Sequence, residues 1–93
     1  MLSLTGWYNA LAMKLRFTLH AEEKLLRLTK VGVTKRKVAE ILEAPEKSVE
    51  GYWGRKIAQG ALTNDLMLRV VYEETEGGIL IITIYPAERR SYI

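Results

Sequence analysis

Cysteine is absent from this chain of 93 residues, so disulfides and thiol chemistry are excluded. Histidine occurs once, at His20, and without cysteine that leaves no basis for a structural zinc site. No apolar run is long enough to span a bilayer. Residues 1–12 lack the basic start and apolar stretch of a signal peptide, so a cytoplasmic location and no membrane partner are expected. Internal repeats and low-complexity segments are also missing. Asparagine and glutamine are scarce while lysine and glutamate dominate the charges, a composition that leans toward a thermophile.

What is present fits one globular domain with a modest core. Net charge is +3 and pI near 9.3, which tilts the choice of partner toward something anionic. No residue pattern calls for a cofactor or a metal.

The chain is organised around a hairpin from Leu66 to Tyr85. Leu66–Tyr72 and Ile79–Tyr85 are apolar runs rich in β-branched and aromatic residues, as a buried pleated surface requires. Between them, Glu73 to Gly78 is charged and ends in glycine, so the strands should pair antiparallel across it. Ile79–Tyr85 is apolar on nearly both faces, as expected of a central strand. Upstream, Met13–Leu19 alternates strictly, placing Lys14, Arg16 and Thr18 on a wet face. From His20 to Lys30 the spacing becomes helical, with Gly32 as a stop. Thr34 should cap a second helix that Pro45 ends. Ser48–Trp53 reads as loop or a short strand, and Arg55–Leu62 as a weaker strand. Tyr85-Pro86 should end the last strand. Ahead of all this, residues 1–12 read as an N-terminal extension. In it Trp7, Tyr8 and Leu11 are candidates for a helical turn docked on the body or on a second copy, which keeps a homodimer among the candidate partners.

The expected fold is α+β: a mainly antiparallel four-stranded sheet, with two N-terminal helices on one face (β-α-α-β-β-β). Leu66, Leu68 and Val70 are assigned to the helix side, with Leu80, Ile82 and Ile84 from the last strand. The opposite face then carries Lys14, Arg16, Arg69 and Tyr85. Arg69 interrupts an otherwise apolar strand, which is costly unless that face opens to water or to an anion.

Leu68-Arg69-Val70-Val71-Tyr72, Ile82-Thr83-Ile84-Tyr85 with its basic tail, and the opening Phe17-Thr18-Leu19-His20-Ala21 resemble the RelE/ParE toxin superfamily, in a poorly characterised RelE-like branch. The likeness covers residues 13–93. It implies a toxin of a toxin-antitoxin system that cuts mRNA at the ribosome without a metal. It also implies a small antitoxin as a partner. The alternatives are a non-catalytic RNA- or protein-binding module of the same fold, or a gyrase inhibitor. Carried onto this sequence, Arg69 would contact the scissile phosphate, and Arg89 and Tyr92 correspond roughly to a C-terminal arginine and tyrosine. Arg55 and Lys56 lie near the superfamily's basic second strand. Pro86-Ala87 replaces part of the basic tail.

Metal-free RNA cleavage needs a base for the 2′-hydroxyl, a cation for the phosphorane and an acid for the leaving oxygen. Arg69 with Arg89, Tyr92 and His20 forms the candidate catalytic set. Lys14, Arg16, Arg55, Lys56, Tyr85 and Arg90 form the candidate RNA-binding set. Each has a plainer reading. Arg69 pairs with Glu73, Glu88 or another carboxylate; Tyr85 and Tyr92 close the core edge; His20 caps a helix. Lys35-Arg36-Lys37 is a solvated turn or a phosphate contact. Trp53 covers the sheet edge, the preferred reading, or anchors a partner.

Overall fold

The structure is a computed structural model that describes residues 6–91. Its first element is a tight hairpin in which β1 (Tyr8–Ala10) pairs antiparallel with β2 (Met13–Phe17). Leu11 and Ala12 turn the chain at φ of 52° and 62°, left-handed at both central positions as a two-residue hairpin demands. These residues therefore form a strand and a turn, not the helical turn expected of Trp7, Tyr8 and Leu11.

Helix α1 (Leu19–Leu28) starts where the Thr18 side chain accepts from the Ala21 N–H at 3.0 Å. A short 3₁₀ turn follows, and Gly32 at φ 88° ends it. Helix α2 (Lys35–Glu43) is capped by Thr34, which accepts from the Lys37 N–H at 3.0 Å. Four strands complete the fold: β3 (Lys47–Glu50), β4 (Lys56–Ala61), β5 (Leu66–Glu74) and β6 (Ile79–Glu88).

The sheet has six strands in the order β1-β2-β6-β5-β4-β3, and β2 runs parallel to β6. This corrects the four-stranded, mainly antiparallel sheet expected from the sequence; the architecture is α+β with a mixed sheet. The two added strands are the edges. One has three residues and the other reads Lys-Ser-Val-Glu, so neither shows a clear apolar period. The parallel pair is reached through the helices and the β3–β6 meander, a long connection that no local pattern announces.

Both helices cover one face. Leu15 and Phe17 of β2, Leu68 and Val70 of β5, and Ile81 and Ile84 of β6 are fully buried against Ala21, Leu25, Val38 and Ile41. Each such large aliphatic or aromatic side chain contributes roughly 1.5–3 kcal/mol. Where α2 crosses β4 there is room only for glycine: a Cβ on Gly60 would lie 2.9 Å from Ile41 Cγ1.

The facing set expected on β6 (Leu80, Ile82, Ile84) holds only at Ile84. Ile81 points at the helices instead, because a bulge shifts the register. Tyr72 stands opposite Ile81 and Val71 opposite Thr83, so Ile82 has no β5 partner and the alternation changes phase there. Pro86 does not end the strand; β6 continues to Glu88. β2 pairs only with Ile79–Ile81, so at Pro86 no ladder bond toward β2 is needed.

Candidate nucleic-acid interface

Opposite residues in an antiparallel pair share a face of the sheet. Lys47 stands opposite Gln59, Gln59 opposite Arg69, and Arg69 opposite Tyr85. Four polar side chains thus line up across β3, β4, β5 and β6. Their face is the one turned away from the helices, since the flanking Leu68 and Val70 are in the helix-side core.

Arg69 is the centre of this row. Its Nε donates to Gln59 Oε1 at 3.0 Å and its Nη1 donates to the Tyr85 hydroxyl at 2.8 Å. The guanidinium carbon lies 5.5 Å from the centroid of the Tyr85 ring. Gln59 is buried, while Arg69 and Tyr85 are half-buried. Both of these partners are neutral. They fix the direction of the guanidinium fork. Glu73 pairs with Arg55 at 3.1 Å, and Glu88 with Arg90 at 3.6 Å.

Comparison with models of known families, with curated proteins and with solved structures gives no match.

The structure brings only part of the sequence-derived set together. Arg69 and Tyr85 meet. Arg89 lies four positions beyond Tyr85 along the chain and pairs with Glu46 at 3.1 Å, while its backbone N–H donates to the Asp65 carbonyl. His20 stands exposed in the first turn of α1, in the helix layer, and Thr18 rather than His20 caps that helix. Tyr92 lies outside the described residues. Lys56 pairs with Glu74, whose hydrogen bond and charge raise the lysine pKa above its ordinary value.

Arg16 and Lys14 sit on β2, where Arg16 stands opposite Leu80, five positions before Tyr85 along β6. Arg16 stacks on Trp7, with its guanidinium carbon 4.6 Å from the ring centroid. The indole in turn packs against Gly77 and Gly78, where a Cβ at Gly78 would fall 2.4 Å from the Lys14 carbonyl oxygen. Lys35 pairs with Glu22 at 3.0 Å and Arg36 with Glu40 at 3.7 Å. Trp53 does not cover the sheet edge; it is 89% exposed.

Two members of the row were missed by sequence reasoning, Lys47 and Gln59. Gln59 is the chain's only glutamine, set between Ala58 and Gly60 in a strand of small residues. A polar side chain there was the available signal. Lys47 gave none, because its strand was not resolved from loop. Among the described residues, no group of three or more histidine or carboxylate side chains is placed to hold a metal.

Proposed function

We propose that this chain is a toxin-like protein acting on RNA at the ribosome, with Arg69 as the clamp on a backbone phosphate. The supporting observation is the aligned row, in which Gln59 and Tyr85 hold the guanidinium of half-buried Arg69 in one orientation. A planar fork so oriented matches the paired oxygens of a phosphodiester. Lys47 adds a second positive charge on the same line. The chain's net charge of +3 favours the same partner class.

A second reading, cleavage, is favoured by the contact between Tyr85 and Arg69. In that reaction the 2′-oxygen bonds to phosphorus and the bond from phosphorus to the 5′-oxygen breaks. The 2′-proton leaves to a base and a proton is delivered to the departing 5′-oxygen. The products are a 2′,3′-cyclic phosphate and a 5′-hydroxyl. Arg69 would stabilise the extra negative charge on the phosphorane. The Tyr85 hydroxyl is the proton-carrying group held closest to that cation.

Induction of the wild-type chain and of Arg69→Ala in cells tests the proposal. Growth arrest that Arg69→Ala relieves, with the variant folded, supports it. Arrest of equal strength from the variant overturns the assignment of Arg69. The absence of both arrest and RNA binding in the wild type overturns the function.

A further inference from the structure

The β3–β4 hairpin ends in Gly51-Tyr52-Trp53-Gly54, and both aromatic rings stand in solvent, Tyr52 85% and Trp53 89% exposed. Trp53 and Gly54 have φ of 63° and 75°, and the Arg55 N–H donates to the Tyr52 carbonyl at 3.1 Å. That is a two-residue turn, left-handed at both central positions, for which Asn-Gly is the favoured pair. A bulky residue at positive φ costs about 1–2 kcal/mol. Nothing in the fold offsets that cost, because among the described residues neither ring makes a hydrogen bond or a ring contact. The position therefore breaks a local rule at a point where packing gains nothing.

We infer that Tyr52 and Trp53 form a stacking platform for unpaired RNA bases, and that it extends the Arg69 row. This rests on the proposal that the row contacts RNA. The two features share one hairpin: Lys47 belongs to the row, and Gly51 begins the turn about 13 Å further along at strand spacing. A strand held by its phosphates at Arg69 and Lys47 can lay successive bases on rings at the tip. Bases have π-faces whatever their sequence, so such a platform adds affinity with little base preference.

The test uses the full chain and short oligouridine at low salt. In a Trp7→Phe background, which keeps a ring against Arg16, Trp53 is the sole indole, and its emission should be quenched as oligouridine binds. Trp53→Asn should raise the melting temperature by a few degrees, because asparagine tolerates the left-handed region, yet weaken oligouridine binding about tenfold. Tyr52→Leu should weaken binding without the gain in stability. If Trp53→Asn binds as tightly as the wild type while Arg69→Ala does not, the platform is wrong and the row stands. If the wild type binds no oligouridine, both are overturned. If Trp53→Asn instead abolishes self-association and leaves RNA binding intact, the tip joins copies of the chain and the inference is lost.

Discussion

The Thr18 hydroxyl donates to the Ile82 carbonyl at 2.8 Å, across 64 positions of sequence. Ile82 is the bulged residue of β6, with no partner on β5. The same hydroxyl accepts from the Ala21 N–H and so starts α1, while the Thr18 N–H donates to the Ile81 carbonyl at 3.1 Å. One buried side chain ties the helix start to the irregular point of the central strand. Thr18→Val keeps the shape and removes both side-chain bonds, leaving buried polar groups unmet. The expected loss is about 2 kcal/mol, seen as a lower urea midpoint at unchanged slope.

The bulge also marks where the sequence stops being legible. The main hairpin, the Thr34 cap and the Gly32 stop are local features, and each lies where its pattern placed it, whereas the alternation expected over Met13–Leu19 holds only to Phe17, since Thr18 is buried and Leu19 opens α1 exposed. The orientation of β6 does not, because its residues are apolar on both sides of the bulge and alternation cannot choose a phase. Pairing of β2 with β6 depends on segments far apart in the chain. In the candidate site, Arg69 announces itself as a charge within a strand and Tyr85 falls opposite it. Gln59 and Lys47 join only through register, which becomes visible once the strands are paired.

Gly60 fixes how closely α2 approaches the sheet. Gly60→Val drives a branched side chain into Ile41 and should cost about 1–3 kcal/mol. Ile41→Ala alone should also destabilise, by about 2–5 kcal/mol, through the space it leaves. Combined, the two should cost less than their sum. A double-mutant cycle in urea measures the coupling, and strict additivity would remove Ile41 as the cause.

Tyr85→Phe separates the two readings of the row. The ring remains beside Arg69 and only the hydroxyl is lost. Stability should fall by about 1 kcal/mol, the worth of one hydrogen bond to a charged group at a half-exposed site. If the row only binds, oligouridine affinity should change by a few-fold at most. If it also cleaves, the formation of 2′,3′-cyclic phosphate ends should fall by on the order of a hundredfold with affinity retained.

The parallel pairing of β2 with β6 has a consequence for how the chain acquires its shape. β6 lies in the interior of the sheet, yet it follows the other five strands along the chain. Until it emerges, β1 and β2 have no strand partner in the β3–β5 meander, and Leu15 and Phe17 remain uncovered on that side. Assembly is therefore an insertion that completes the middle, with contacts of long sequence separation formed last and slowly. A chain cut short before Ile79 would lose the strand that joins β2 to β5 and leave Leu15, Phe17, Leu68 and Val70 without the layer beside them.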